Sequence, residues 1–480
     1  MSTKRTSPNR DEFAGGHVED ELPATRTGRM AEFGRLGLSL VSSAVRAGAR
    51  GFVGGFGNRE QALTDAHRAG AAVLLRSLGR LRGSAAKIGQ FLAQRPGTLP
   101  DEYIEAMLTL ADKVPAMSAP TVDMQVANEL GKLPRVLFAS FERHPIAAGS
   151  FGQVHPATLR DGTNVVVKVQ YPAVEDALAA DLANLEMVLP ALEKLADRDD
   201  LPALVAELRE RLMEELDYGL EAENCRQFRK FFAHEPMEIP RVHDAFSTAR
   251  VLTLDFVEGD SIETYLRKGP TLEERNRAAL LLLRFHFASV LEHNMLHVDP
   301  NPGNYLFRDD GRIGIVDFGC VKRFSPDFAE LLREIYRAAA EGSDRGIDDV
   351  LVECGMFPPD LDDRYREPMR RLARLWSKPC NTPNFDFGDR QYLDELTNLQ
   401  HQLAREGAVK VPPEWLFYSR QVLGCSYLLY RLGGKHKSQF IENFEQIVSG
   451  GPLASTAKTA KVNPAAPAVA KGRKKAAAKR

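Results

Sequence analysis

The chain has 480 residues, of which 44% are hydrophobic and 27% are charged, and its formal net charge at pH 7 is −2. Such a composition is typical of a globular protein, and the length allows roughly two to four domains. The near-zero net charge provides no overall basic field, so we expect no specific nucleic-acid partner. The five cysteines form no CxxC pair, which argues against a structural zinc site or a disulfide framework and fits a reducing cytosol.

Two segments at the N-terminus precede the first predicted folded region. Residues 1–28 are polar, lack the apolar core of a signal peptide and are predicted to be disordered. Residues 29–65 are predicted to be an amphipathic or linking segment, because Phe33, Leu36 and Leu40 recur at helical spacing between arginines. This segment is either a helix on the surface of an anionic membrane or a helix packed on its own domain.

The sequence contains no stretch that reaches the roughly 20 apolar residues required by a membrane-spanning helix. The richest apolar run, "AALLLL", ends at Arg284. We therefore expect neither a signal peptide nor a transmembrane helix. A cytoplasmic location follows, with peripheral membrane contact if residues 29–65 form an interfacial helix.

Residues 66–134 are predicted to form a helical extension. From Leu74 to Leu92 the apolar residues alternate four and three apart and make one continuous stripe. Lys87, Gln90 and Gln94, spaced i, i+3 and i+7, are predicted to share a different face of this helix, turned away from the apolar stripe. From the residues alone, Lys87 and Gln90 are either part of a solvated face or part of a site.

Between residues 135 and 260 the apolar residues tend to recur at every second position, as they do in β-strands. This spacing predicts a sheet-containing lobe. A long acidic helix from Leu204 to Phe232 interrupts the predicted strands, and Asp161-Gly162 is predicted to be a hairpin turn. The predicted strands are "RVLFASF", "VHPATL", "NVVVKVQ" and "RVLTLDFV".

Helices are predicted to dominate residues 261–450, which would form a helical C-terminal lobe. Residues 451–480 are rich in alanine, lysine and arginine and contain no acidic residue, so they are predicted to be a disordered basic tail. This tail either contacts anionic lipid or nucleic acid or serves only to solubilise the chain.

A loop of small residues, "IAAGSFGQVH", lies between predicted strands of the sheet-containing lobe. Small side chains allow backbone N–H groups to approach phosphate oxygens, so Ala147, Ala148, Gly149 and Ser150 are predicted to bind a nucleotide phosphate. On the strand that follows, Lys168 points to the face opposite the buried valines and requires an anionic partner or solvent.

Carboxylates in "EELDYGLEAEN" are candidate partners for this lysine. Glu221 is predicted to pair with Lys168 and to direct its ammonium group at nucleotide phosphates. Asp217 and Glu221 are four residues apart and are predicted to share a helix face, whereas Glu215 and Asp217, two apart, are not. At least one of these carboxylates therefore has a different partner.

Oxygen ligands of a hard metal ion are concentrated in "HVDPNPGN" and "IVDFGC". Asp299 precedes Asn304 by five residues, and Asp317 heads the Asp-Phe-Gly segment. The order small-residue loop, strand lysine, helix glutamate, Asp-x4-Asn and Asp-Phe-Gly is that of a protein-kinase-like fold. We therefore predict that Asn304 and Asp317 bind Mg²⁺ on the phosphates of ATP and that Asp299 faces the reacting group.

At this level of detail the chain resembles the UbiB/ADCK family of atypical kinase-like proteins. The resemblance covers roughly Leu22 to Leu432. It is carried by "KIGQ", "LADKVP", "AAGSFGQVH", "VVVKVQYP", "ELDYGLEAEN", "DPNPGN" and "DFG". It implies an α+β, two-lobe fold in which the helices of the extension cover the site where an ordinary kinase binds its peptide. It also implies that Lys87 and Gln90 belong to the site and that Lys87 reaches toward Glu215 and Asp217.

The resemblance further implies ATP and Mg²⁺ as cofactors, isoprenoid-quinone intermediates or lipids as ligands, and quinone-biosynthesis enzymes as partners. The expected activity is ATP hydrolysis or phosphorylation of a small lipid-like molecule at a membrane surface. A phosphotransferase acting on a soluble small molecule and a nucleotide-binding scaffold without turnover are the alternatives. After Cys320 the sequence turns helical at once, which leaves little room for a peptide substrate. Gly149 and Val166 depart from the family's usual alanines, so the preference between ATP and ADP stays open, as does the oligomeric state.

Overall fold

A computed structural model of the chain describes residues 116–179, 182–183, 186, 201–406 and 412–435. The chain divides into two compact units. One comprises the residues up to Leu220 together with Val242–Asp255, and the other comprises Glu221–Arg241 together with the residues from Phe256 onward. The terminal segments predicted above (1–28, 29–65 and 451–480) lie outside the described residues, as do Lys87, Gln90 and most of the extension 66–134.

The helices and strands follow the predicted order of a sheet-containing part and a helical part. The helices are α1 (Ala119–Leu130), α2 (Pro134–Leu137), α3 (Leu201–Glu215), α4 (Tyr218–Phe231), α5 (Ile262–Arg267), α6 (Leu272–Leu291), α7 (Pro326–Ala340), α8 (Asp344–Glu353), α9 (Asp363–Asn381), α10 (Arg390–Glu406) and α11 (Pro413–Leu432). The strands are β1 (Ser140–Phe141), β2 (Ala147–Ala148), β3 (Gly152–Thr158), β4 (Asn164–Gln170), β5 (Met237–Glu238), β6 (Val251–Asp255), β7 (Met295–His297), β8 (Tyr305–Phe307), β9 (Ile313–Ile315) and β10 (Val321–Arg323).

The first unit is built on an antiparallel sheet with the order β1-β3-β4-β6, in which β2 also pairs with β3. The predicted hairpin turn is confirmed, because the N–H of Thr163 donates to the Asp161 carboxylate (2.9 Å) and Gly162 has a φ of 90°. The predicted alternation along β4 is also confirmed. Its three inward valines are fully buried and pack against helix α1, whereas Lys168 lies on the opposite face.

The prediction that "RVLFASF" is a strand is wrong in its first half. Pro134 begins the short helix α2, and only Ser140–Phe141 pairs with the sheet. A proline at the first helical turn has no N–H to lose there and its φ already suits a helix. Phe138, which follows this short helix, is buried against Phe141 and Phe246, whereas Val136 is exposed.

The prediction of one continuous helix from Leu204 to Phe232 is also wrong. Helix α3 ends at Glu215, and α4 begins at Tyr218. Asp217 lies between them and caps α4, because its carboxylate accepts hydrogen bonds from the N–H groups of Gly219 (2.8 Å) and Leu220 (3.2 Å). A carboxylate in this position satisfies free amides and interacts favourably with the helix dipole. Asp217 and Glu221 therefore do not share a helix face.

The second unit is mainly helical, as predicted, and carries two small sheets. In one, β5 is parallel and β8 is antiparallel to the central strand β9; in the other, β7 pairs with β10. Helix α6 begins with a capping box formed by Thr271 and Glu274 and is buried along most of its second half. The "AALLLL" run therefore belongs to a protein core, and no helix among the described residues is long and apolar enough to cross a membrane.

His286 on α6 is buried without a hydrogen-bond partner for either ring nitrogen within the described part of the chain. Burial lowers the pKa of His286 to about 4, from an ordinary value of 6.5. Below about pH 6.5 the unfolded chain binds a proton here that the folded chain does not. We expect the second unit to lose about 3 kcal/mol of stability between about pH 6.5 and pH 4 from this group alone.

Thermal unfolding followed between pH 7.5 and 4.5 tests this expectation. The variant His286→Leu should lose part of the pH dependence below pH 6.5, and the exposed His234→Leu should keep all of it. Equal pH dependence in His286→Leu and the unaltered chain would contradict the proposed origin.

Candidate active site

The small-residue loop belongs to the first unit and is the tip of the β2–β3 hairpin. Ala147 pairs with Val154, and the N–H of Gly149 donates to the carbonyl oxygen of Gly152 (2.8 Å). The prediction placed Ala147, Ala148, Gly149 and Ser150 together in a loop; the two alanines instead form strand β2, and the turn begins at Gly149. The amide of Gly149 closes the hairpin, so a phosphate would have to use the amides beyond it.

Position 152 requires glycine because there is no room for a side chain, and not because the backbone has an unusual φ angle. A Cβ atom at this position would lie 2.5 Å from the carbonyl oxygen of Val169 and 2.8 Å from the hydroxyl of Tyr218. The Tyr218 ring also lies under the Lys168 ammonium group, 5.4 Å from Nζ to the ring centroid. A buried tyrosine therefore connects the hairpin tip with the strand lysine, a role that the sequence analysis missed.

Glu215 and Asp217 lie in the break between α3 and α4. Glu215 is the last residue of α3 and is partly exposed, and Asp217 has its carboxylate on the first amides of α4. Because Lys87 and Gln90 lie outside the described residues, their predicted contact with these carboxylates stays a prediction. One oxygen of the Asp217 carboxylate already accepts two hydrogen bonds, which leaves mainly the other oxygen for an ion pair with a lysine.

The second unit carries the metal-type segment "HVDPNPGN". Its strand β7 ends at His297, and a short 3₁₀ turn (Pro302–Asn304) follows, in which the N–H of Asn304 donates to the carbonyl oxygen of Asn301 (3.0 Å). The Asn304 amide nitrogen donates to the Asp299 carboxylate (3.0 Å) and to its carbonyl oxygen (3.2 Å). The structure therefore brings the predicted pair Asp299 and Asn304 together.

The Asp-Phe-Gly segment is held beside this loop by backbone and side-chain hydrogen bonds. The N–H of Val316 donates to the carbonyl oxygen of Asn304 (3.1 Å). His297 donates from Nε2 to the carbonyl oxygen of Asp317 (2.6 Å), since a carbonyl oxygen can only accept. The Asp317 carboxylate accepts from the N–H of Gly319 (3.0 Å). Asn304 thus bonds Asp299 through its side chain and the residue before Asp317 through its carbonyl oxygen, so the two segments are hydrogen-bonded to each other in the second unit.

Helix α4 binds Phe318 of this segment through three buried residues on one face. Asn224 donates from its amide to the carbonyl oxygen of Phe318 (3.2 Å), and Glu221 accepts from the Phe318 N–H (3.4 Å). The Phe228 ring lies 5.1 Å from the Phe318 ring. Glu221 thus contacts the Asp-Phe-Gly backbone, whereas its predicted ion pair with Lys168, in the other unit, stays a prediction.

Asn224 and Phe228 were not among the predicted site residues, although their spacing in the sequence is informative. Together with Glu221 they are spaced i, i+3 and i+7, which places them on one face of a helix. That spacing cannot say what the face contacts. Its partner, Phe318, lies 94 residues from Asn224 in the chain.

We expect Asn224→Leu to destabilise the second unit by about 1–3 kcal/mol, because a buried carbonyl oxygen of Phe318 would lose its donor. Thermal and urea unfolding measure the effect, and Lys230→Ala on the exposed side of α4 is the matched control. A variant as stable as the control would show that the Asn224 hydrogen bond does not stabilise the segment.

The donor set of the second unit fits Mg²⁺. The Asn304 amide nitrogen faces two oxygen acceptors, so its amide oxygen is turned away from Asp299 and can act as a ligand together with the Asp317 carboxylate. Among the described residues there is no group of three or more His, Cys, Asp or Glu that could hold a metal ion. Proteins usually bind Mg²⁺ through one or two side-chain ligands plus substrate phosphates and water.

Known proteins share the sequence and the fold of this chain. The sequence profile of the ABC1 atypical kinase-like domain matches residues 109–351, just over half of the chain. The chain belongs to the ABC1 atypical kinase-like family. The resemblance predicted from the KIGQ, DPNPGN and DFG segments is therefore confirmed, and so is the α+β kinase-like fold.

Relatives in the ABC1 family are similar over most of this chain. The mitochondrial atypical kinase coq-8 of Caenorhabditis elegans is 28% identical over 432 residues, which are 86% of this chain and 56% of that relative. The mitochondrial atypical kinase COQ8B of Rattus norvegicus is 28% identical over 421 residues, which are 85% of this chain and 78% of that relative. The structure of a complex of Rv3197 from Mycobacterium tuberculosis with erythromycin is similar with a TM-score of 0.59 and 29% identity, covering 83% of this chain and 98% of that one.

Proposed function

We propose that the chain is an ATP- and Mg²⁺-dependent enzyme, either an ATPase or a kinase of small or lipid-like molecules. We further propose that it supports ubiquinone-type quinone biosynthesis or lipid handling at a membrane surface. The single observation that carries the first proposal is the hydrogen-bonded arrangement in which Asn304 bonds Asp299 through its side chain and the residue before Asp317 through its backbone. It unites a general-base candidate and two hard oxygen ligands in the second unit.

Each side chain of the site has its own proposed role in the reaction. Asp299 accepts the proton of the attacking hydroxyl group or water, and its hydrogen bond from Asn304 holds the carboxylate in one orientation. Asn304 and Asp317 would hold Mg²⁺, which neutralises phosphate charge when bound. His297 and Glu221 bond the carbonyl oxygen and the N–H of the peptide group that joins Asp317 to Phe318, and so fix the backbone from which the Asp317 carboxylate extends. Lys168, on the other unit, supplies a positive charge for nucleotide phosphates.

A small or lipid-like substrate is supported by the short chain after the Asp-Phe-Gly segment. Only Phe324 and Ser325 separate β10 from helix α7. A protein kinase docks its peptide on a long segment in this region, and no such platform exists between Val321 and Pro326. The membrane and quinone parts of the proposal are supported by the resemblance of the KIGQ, ELDYGLEAEN and DPNPGN segments to the UbiB/ADCK family.

Phosphotransfer to a soluble small molecule is the second candidate. It is favoured by the relative from Mycobacterium tuberculosis, which is 29% identical to this chain and was solved as a complex with erythromycin. A macrolide carries several hydroxyl groups but is not a lipid. A hydroxyl-bearing soluble acceptor is therefore the distinguishing feature of this candidate.

The test is nucleotide turnover by the purified full chain with Mg²⁺ and ATP, with and without anionic liposomes. Equal amounts of ADP and free phosphate indicate hydrolysis, and an excess of ADP indicates transfer to an acceptor. We expect turnover that rises with liposomes or phenol-like lipid mimics, measured against the Asp299→Asn variant as a blank. An ADP excess only with soluble hydroxyl compounds favours the second candidate. Nucleotide binding without any turnover would favour a scaffold instead and overturn the enzymatic proposal.

A further inference from the structure

One face of the last described helix, α11, lies against the loop that carries Asp299. Gly424, in the interior of α11, faces the ring of Pro300, the residue that follows Asp299. A Cβ atom added to Gly424 would overlap Cβ and Cγ of that ring. A proline ring cannot rotate away as a long flexible side chain can, so either the loop or the helix would have to move.

A second contact joins the same helix face to the other end of the loop. Gln421, three residues before Gly424 and therefore on the same side of the helix, is buried, and its side chain contacts that of Tyr305. Tyr305 directly follows Asn304 and is itself buried. The loop from Asp299 to Asn304 is thus flanked on both sides by contacts with α11.

We propose that Gly424 and Gln421 are positioning residues, which hold Asp299 and Asn304 in the geometry that turnover requires. Helix α11 is then part of the catalytic apparatus of the second unit without touching substrate. For its kinetic readout, the inference rests on the proposed enzymatic function.

Helix propensity and the contact with Pro300 predict opposite effects of replacing Gly424 by alanine. Glycine is a poor helix former and alanine the best, so Gly424→Ala in an ordinary helix interior would be neutral or stabilising. The contact with Pro300 predicts a loss instead. The sign of the effect therefore separates a role in positioning the loop from simple helix propensity.

We expect Gly424→Ala to lower kcat for ATP turnover by at least about tenfold, because small displacements of catalytic groups have large kinetic effects, and to change KM for ATP by less than about twofold. The amide of Asn304, which is hydrogen-bonded to Asn301, should exchange its hydrogen at least about tenfold faster, and this readout does not depend on turnover. The control Leu416→Ala alters an exposed side chain of the same helix and should leave kcat, KM and exchange unchanged.

A double-variant cycle identifies the contact. In a Pro300→Gly background the ring is absent, so adding Gly424→Ala should have little further effect on kcat or on exchange. Equal losses in both backgrounds, or a Gly424→Ala variant with unchanged kcat and unchanged exchange at Asn304, would overturn the inference. If the unaltered chain shows no turnover, the proposed function fails, and the exchange measurements alone decide whether α11 positions the loop.

Discussion

Replacing Asp299 by Asn should lower kcat for ATP turnover by a factor of about 10² to 10⁴, the range that a general base contributes. Nucleotide affinity should stay within about threefold, because Asp299 acts on the reacting group rather than on the bound ground state. The substitution is nearly isosteric, and an Asn at this position can still present an oxygen to the Asn304 amide nitrogen that now bonds Asp299. The loop should therefore keep its conformation while losing the proton acceptor.

Steady-state turnover and nucleotide titration of the same preparation measure the two quantities separately. Asp309→Asn, an exposed carboxylate in the turn after β8, is the matched control and should leave both unchanged. An Asp299→Asn variant with unaltered kcat would make Asp299 a structural residue of the loop. A parallel loss of affinity and turnover would assign it to nucleotide binding instead.

Replacing Asp317 by Asn should weaken Mg²⁺-dependent nucleotide binding by about 100-fold or more, because Asp317 is the carboxylate ligand of the proposed metal site. The variant should remain folded. An amide oxygen at this position can still accept the hydrogen bond from the Gly319 N–H, and His297 bonds the Asp317 backbone rather than its side chain. The effect should therefore be confined to the metal-dependent part of binding.

Calorimetric titration with ATP in the presence of Mg²⁺ and in the presence of EDTA separates metal-dependent from metal-independent affinity. Asp317→Asn should reduce the first to the level of the second, and Asp310→Asn in the β8–β9 turn should preserve the difference between them. If Asp317→Asn binds Mg-ATP as tightly as the unaltered chain, the metal assignment is wrong, whatever the outcome for Asp299.

Several features of the candidate site were predictable because they depend on neighbours in the chain. Strand alternation determines that Lys168 opposes the buried valines of β4, and this needs only the period of two. The five-residue spacing of Asp299 and Asn304 spans one short turn, within which their side chains meet. The family resemblance rests on the same local segments, so both the kinase-like fold and the order of its motifs were available from the sequence.

Predictions from local sequence patterns were wrong where a residue could adopt two different local structures. Glu215 and Asp217 lie in a stretch with helical periodicity throughout, yet Asp217 ends that periodicity by capping a second helix. An aspartate bonds its own neighbouring amides as readily as it sits on a helix surface. In "RVLFASF" the burial of Phe138 between α1 and the sheet determined the structure, and alternation alone cannot report such packing.

The remaining features were decided by tertiary structure alone. The Tyr218 hydroxyl lies against Gly152, Asn224 bonds Phe318, and Gly424 accommodates Pro300, and in each pair the partners are distant in sequence. A glycine in a helix or strand looks locally unfavourable, and the sequence does not say which atom occupies the space that it leaves. Side-chain chemistry and spacing along one chain segment determine which groups are available for catalysis. The packing of remote segments determines which backbone they hold, because close packing is a property of the assembled core and not of any single element.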